Sequence, residues 1–429
     1  MKSDLLKELF LKVAGDLFRE RNCFFVRGEL GVFSHALVVW LYISKRFNTG
    51  SLSSAREELS EILKRGSIGE FVDRPSKSLR DGTVSANTGG LCKAFNRISL
   101  EFIQTLFFES VSNIRRHFSK SGAAERSNAF VLDGLMISVS STTDTVNGLG
   151  RCKSMNGQLH YPKVRCVTAH RVNSGLSEAL AVGTVSDHEN RLAEEVITQL
   201  PKGSIVVGDR CYGIVRLAQH SFDQGKTCVF RLKDGIGAKL KALQGNQNSF
   251  CWICSKKIYS CKGRIIHLTV TDPNIRSREI YLFTNCDLSD EDVCQLFLQR
   301  NQVEVAIRHV KQTLKLSFIS AKTVEGVKKE IYLAFIAFNL IRALMEETAN
   351  EFSICPSRLS FTSTVHIIKA HAFSLAQASP KEAKEIIECI KRQMYQTKLP
   401  NRKGSRRYPR VVKRQQMKYK NAGLIPLNN

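Results

Sequence analysis

Apolar residues recur at helical spacing through the first quarter of the chain. Leu5, Leu6, Leu9, Val13 and Leu17 share one face of a helix. The segment GVFSHALVVWLYIS (Gly31–Ser44) is apolar almost throughout and reads as a buried core helix. It is shorter than the roughly 18 residues of a membrane span. SSAREELSEILKRG (Ser53–Gly66) has the pattern of a capped amphipathic helix. SLRDGTVSANTGG (Ser78–Gly90) is polar and turn-rich, and Ile98–Phe118 predicts a further helix.

The period changes at Asn128. NAFVLDGLMISVS alternates between polar boundaries and predicts a strand or hairpin, and VRCVTAHRV and LSEALAVGTV continue with β-branched residues. Glu189–Leu200 returns to helical spacing. SIVVGDRCYG (Ser204–Gly213) is a short apolar strand ending in Asp209. Strands, a helix and another strand predict an α/β core. From about 227 to 287 the chain is again strand-like, as an inserted β region would be. Long helices resume near Ser289 and run to about Glu351, with an interruption near Lys322.

A chain of 429 residues can bury one large core or two to three domains. Its net charge of +25 predicts a polyanionic partner, and nucleic acid fits best because neutralised phosphates release counterions. Thirteen cysteines follow no framework spacing, which suits reduced cytosolic thiols. Between Lys391 and Lys420 lie twelve Lys or Arg and no acid, interspersed with Tyr395, Tyr408 and Tyr419, a composition suited to phosphate contact.

Three carboxylates stand out by position. Asp133 follows AFVL, Asp209 follows IVVG, and Glu304 lies in FLQRNQVEVAIRHVK (Phe297–Lys311). Acids at the ends of buried strands are costly unless paired or metal-bound. Two strand acids and one helix acid can converge over a sheet to hold hard divalent cations. On one continuous helix, Phe297, Arg300, Glu304, Arg308, Lys311 and Lys315 would fall within an arc of about 80°. Leu296, Val303, Ile307, Val310 and Leu314 would form the adjoining apolar face. Periodicity leaves two readings open: a phosphate-binding stripe around a metal-binding acid, or a solvated helix with Glu304–Arg308 and Glu304–Lys311 surface pairs.

The spacing Phe297, Arg300, Glu304, Lys311 resembles the Tyr-Arg-Glu-Lys signature of DDE transposases of the insertion-sequence-four family, with Phe297 in place of the tyrosine. VLDG around Asp133 and VVGDRCYG around Asp209, with Tyr212-Gly213, resemble that family's two Asp motifs. RRYPRVVK (Arg406–Lys413) resembles its basic tail. The motifs occur in the family's order, between about Phe130 and Lys413.

The resemblance implies an RNase H-like core with Asp133, Asp209 and Glu304 as catalytic, metal-binding residues, served by two Mg2+ ions for which Mn2+ can substitute. It implies DNA contacts from Arg300, Lys311, Arg308, Phe297, Tyr212 and Trp252, the last as an aromatic near a flipped base. The expected layout is a helical DNA-binding region at 1–125, core segments at 126–226 and 288–350, an inserted β-rich domain at 227–287, and a helical region with a basic tail at 351–429. Arg19, Arg21, Arg27, Lys45, Arg46, Arg56, Lys64, Arg65 and Lys77 would supply the charge of the first region. The implied activity is cut-and-paste transposition by phosphodiester hydrolysis and strand transfer. The implied partners are double-stranded DNA with terminal inverted repeats, target DNA and a second copy of the chain in a DNA-dependent homodimer. The implied place is the cytoplasm of a prokaryotic cell, at the nucleoid. The alternatives are a non-catalytic DNA-binding derivative of a transposase and a related nuclease. Cys251-x-x-Cys254, with Cys261 and His267, has the residue types of a zinc knuckle without a standard spacing.

Overall fold

The computed structural model describes residues 33–400, apart from 65, 73–74, 85–86, 121–127, 152, 155–156, 159–160, 255–257, 271–278 and 379, together with 10–11 and 14. Most of the helical pattern at Leu5–Leu17, Arg19, Arg21, Arg27 and Arg65, and the motif Arg406–Lys413 with Tyr408 and Tyr419, lie outside the described residues. The chain divides into two compact units. One gathers residues up to Arg126 with Asn173–Ser177 and Val305–Leu399; the other holds Ser127–Val172 and Glu178–Glu304.

The first unit is helical. Its described helices are α1 (His35–Phe47), α2 (Leu52–Lys64), α3 (Gly89–Arg97) and α4 (Leu100–Lys120), then a long helix at Val324–Glu351 and two more at Phe361–Gln377 and Pro380–Gln396. Ser34 caps α1 by accepting the Leu37 amide at 3.2 Å. All but the first residue of α1 are buried, as the unbroken apolar run HALVVWLYI requires. The segment read as loop at 78–90 overlaps a single helical turn, Lys77–Arg80, and its last two residues begin α3.

Two cations assigned by sequence to DNA contact are core residues instead. Lys45 and Arg46 are fully buried, and both pair with the equally buried Glu330. Arg46 also donates to the carbonyls of Lys315 and Phe318 at 3.2 Å each. Glu330 further accepts the Ala321 amide at 2.9 Å. Lys315 has a positive φ of 54°, so this network holds a backbone bend that a lysine rarely adopts.

The second unit is built on an eight-stranded sheet. Its strands are β1 (Ala129–Ser138), β2 (Lys163–Arg171), β3 (Ser177–Gly183), β4 (Ile205–Gly208), β5 (Thr227–Arg231), β6 (Phe250–Ile253), β7 (Ser260–Thr269) and β8 (Glu279–Thr284), in the order β3-β2-β1-β4-β5-β8-β7-β6. β1 pairs antiparallel with β2 and parallel with β4, and β4 pairs parallel with β5. Strands β5 to β8, from the region read as an insertion, thus continue the same sheet, and α7, introduced below, interrupts them.

The central strands read as continuous apolar runs because both sheet faces are covered. Even-numbered Phe130, Leu132, Val206 and Phe230 meet Leu192, Val196, Leu217 and Leu240 from α5 (Glu189–Gln199), α6 (Val215–Asp223) and α7 (Asp234–Gln244). Odd-numbered Val131, Val207 and Val229 meet Val293, Leu296 and Phe297 from α8 (Asp290–Leu298). The continuous helix expected over Phe297–Lys311 is broken. α8 ends at Leu298, α9 covers Asn301–Arg308, and a π-helical turn follows at His309–Thr313. Arg300 sits in the break, its amide donating to the Phe297 carbonyl at 3.1 Å. None of the described helices is long and apolar enough to cross a membrane.

Candidate active site

Strand register brings the two aspartates together. Val131 of β1 lies opposite Val207 of β4, the last pair of that ladder; Asp133 follows two residues on in β1, and Asp209 two residues on, just past the end of β4. Side chains alternate along a strand, so Asp133 continues the row of Val131, on the α8 face. Gly208, the last residue of β4, lies opposite Phe230 of β5, and Asp209 and Arg231 are the residues that follow them. Asp133 within β1, Asp209 just past the end of β4 and Arg231 at the end of β5 therefore gather near the C-terminal end of β4.

The electrostatics agree with that geometry. Burial pushes the Asp133 carboxyl up to about 6, opposed by a hydrogen bond from the Gly134 amide; Asp209 and Glu189 add to the rise and Arg300 opposes it. The Gly134 amide donates to Asp133 Oδ1 at 2.8 Å, and the Cys211 amide donates to Asp209 Oδ1 at 2.8 Å. Burial holds the Arg231 guanidinium below its ordinary range; Arg210 and Arg300 add to this, while Asp234 and Asp209 oppose it. Two carboxylates and three guanidinium groups thus share one end of the sheet, where an anion and a cation can both be bound.

Arg300 stands with its guanidinium carbon 5.9 Å from the centre of the Phe297 ring. Phe297 itself is buried in the apolar cluster under the sheet. Tyr212 is also buried, and its hydroxyl donates to Glu189 Oε1 at 2.7 Å. Trp252 packs against Phe283 with ring centres 4.9 Å apart, as a sheet residue. Arg308 is exposed and Lys311 half-buried, both in the helical unit. The Glu304 side chain lies outside the described residues; its backbone is in α9. Among the described residues no three acidic, histidine or cysteine side chains lie close enough to share an ion. Cys251, Cys254, Cys261 and His267 accordingly do not converge: Cys261 is buried opposite Trp252, and His267 stacks on Tyr281.

Residues 126–340 match the family model described as transposase DDE domain. The chain belongs to the transposase DDE domain family. The transposase InsG for insertion sequence element IS4 of Escherichia coli (strain K12) is 25% identical over 275 residues, 61% of this chain and 62% of that protein. A transposase for IS4SA of Synechocystis is 24% identical over 292 residues, 65% of this chain and 80% of its own length. One for IS5377 of Geobacillus stearothermophilus is 28% identical over 164 residues, 37% of this chain and 44% of its own. This DDE-family chain thus spans less than two thirds of the Escherichia coli relative.

Sequence reasoning missed Arg231 and Glu189. Arg231 closes TCVFR and carries no motif; only the β4–β5 register reveals it. Glu189 opens α5, where an acid is ordinary first-turn chemistry.

Proposed function

We propose that this DDE-family chain is a DNA transposase that hydrolyses phosphodiesters at element ends and transfers the freed strand to target DNA. The observation that supports the reading is that Asp133 on β1 and Asp209, just past the end of the adjacent parallel strand β4, interact electrostatically at one end of the sheet. The strand order β3-β2-β1-β4-β5, with its antiparallel and parallel pairings, supports an RNase H-like core, extended at its β5 edge.

The acid pair offers hard oxygen donors of the kind a divalent cation takes, and half-buried Asp133 ionises at lower cost beside one. Asp133, Asp209 and Glu304 would hold two Mg2+, with Mn2+ as substitute. Bound there, the ions supply a nucleophile from water or a 3′-hydroxyl and stabilise the leaving oxygen. The chain's own residues do the rest. Arg231 and Arg300 set a positive field at the same sheet end, which draws a DNA phosphate towards the acids. Phe297 anchors α8 on the sheet and thereby fixes where Arg300 emerges. Arg308 and Lys311 contact DNA phosphates in their own right. The helical region at 1–125 binds the terminal repeats, and two copies act together on DNA in the prokaryotic cytoplasm.

The test uses purified protein, Mg2+ and a labelled duplex carrying the DNA that flanks this gene, comparing wild type with Glu304→Gln on a sequencing gel. Cleavage at the element end that disappears in the variant is expected. Duplex that is retarded but uncut by both proteins would overturn catalysis and leave DNA binding alone.

A further inference from the structure

Each aspartate of the pair is followed or preceded by a glycine, and the structure gives both glycines a reason. At Gly134, the residue after Asp133, a Cβ would overlap the Glu189 carboxylate. At Gly208, the residue before Asp209, it would overlap Tyr212 Cβ and the Phe230 ring. Gly213 lies against the Arg231 carbonyl in the same way. The turn from Asp209 is closed by the Tyr212 amide, which donates to the Asp209 carbonyl at 3.0 Å, and Ile214 N–H then donates to the Tyr212 carbonyl at 2.8 Å. The buried Tyr212 hydroxyl reaches Glu189 Oε1 at 2.7 Å. Glu189 therefore touches the strand that carries Asp133 and is bonded to the turn that carries Asp209.

We propose that Glu189 is a positioning residue which, through Gly134 and Tyr212, fixes the spacing of the Asp133–Asp209 pair. This rests on the transposase reading for its purpose, but the latch itself is a property of the fold. Two carboxylates that share hard cations need a fixed separation, and here the β1–β4 pairing holds the strand of Asp133 beside the strand that leads to Asp209, while the latch sets the turn beyond β4. Partners that orient ligands from behind change metal affinity or activity by roughly 10- to 100-fold when removed. The latch also accounts for Gly134 of VLDG and Tyr212 of GDRCYG, which periodicity leaves unexplained.

The experiment compares full-length wild type, Tyr212→Phe, Glu189→Ala and Glu189→Gln, with Asp133→Asn as control. Two readouts are taken: hydrogen exchange of the metal-free protein, and Mn2+ binding by calorimetry. Tyr212→Phe and Glu189→Ala should speed exchange in peptides over 130–138 and 208–214 and weaken Mn2+ binding roughly tenfold. Glu189→Gln keeps a carbonyl acceptor for the Tyr212 hydroxyl and should stay within about threefold of wild type in both readouts. Unchanged exchange in Tyr212→Phe overturns the latch, and so does Glu189→Gln binding Mn2+ as poorly as Glu189→Ala, which would make the carboxylate a ligand. If Glu189→Ala fails to fold, Tyr212→Phe, which deletes one hydroxyl, still decides. Mn2+ binding that is indifferent to Asp133→Asn would sink the metal reading instead, and the exchange data would then judge the latch separately.

Discussion

Replacing Asp133 by asparagine is expected to stabilise the metal-free protein. The carboxyl is pushed from 3.8 to about 6, chiefly by burial. The folded state therefore binds the proton more tightly than the unfolded chain, and the stability this contributes is present below 3.8 and lost as pH rises through about 6. At about 1.4 kcal/mol per unit, the loss is at most about 3 kcal/mol. Solvent reaching the half-buried group brings it to between about 1 and 3 kcal/mol. Asparagine carries no charge and keeps an oxygen for the Gly134 amide, which now bonds Asp133 Oδ1 at 2.8 Å. Urea unfolding of both proteins in EDTA should show the variant's gain in full at pH 8, shrinking to about a third at pH 4.5. In Mg2+ the order should narrow or reverse, because only wild type gains from bound ion. A variant no more stable than wild type at pH 8, or a gain unchanged at pH 4.5, would refute the reasoning.

Three further outcomes follow from the same geometry. Glu330→Ala leaves the buried Lys45 and Arg46 without their carboxylate and should cost about 3–5 kcal/mol in urea unfolding; a cost under about 1 kcal/mol would mean that the pair relaxes to solvent. Phe297→Ala removes a ring from the cluster of Val207, Val229 and Leu296 and should cost about 3–5 kcal/mol, read by the same assay. Arg231→Ala should make the dependence of log DNA affinity on log salt shallower by roughly 0.9, as the loss of one phosphate contact requires; an unchanged slope would remove Arg231 from the DNA surface.

Where one element's own pattern sufficed, the sequence was legible. Glu189–Leu200 has helical spacing, and α5 covers Glu189–Gln199. AFVL and IVVG are buried on both faces, so they read as strands, and each run places an acid at its end. The charged residues of α1 were misread for a related reason. Lys45 and Arg46 close an apolar run and look like a solvated helix end, whereas their partner Glu330 lies far along the chain in an equally apolar helix. No local pattern announces such a pairing.

The site was half legible, because a stripe drawn on one helix assumes one axis. Nothing between Phe297 and Lys311 marks a stop: no glycine or proline interrupts the run, and the apolar spacing continues through it. The chain nevertheless leaves α8 at Leu298 and starts α9 at Asn301. That break means that no single helix carries Arg300, Arg308 and Lys311 together. It leaves Arg300 beside Phe297 and within electrostatic reach of Asp133 and Arg231. The residue keeps the charge that the spacing suggested, but owes its place to packing of α8 on the sheet. Arg231 makes the complementary point. Its place beside the strand that leads to Asp209 comes from the pairing of β4 with β5, and a period of two within each strand is silent about the register between them.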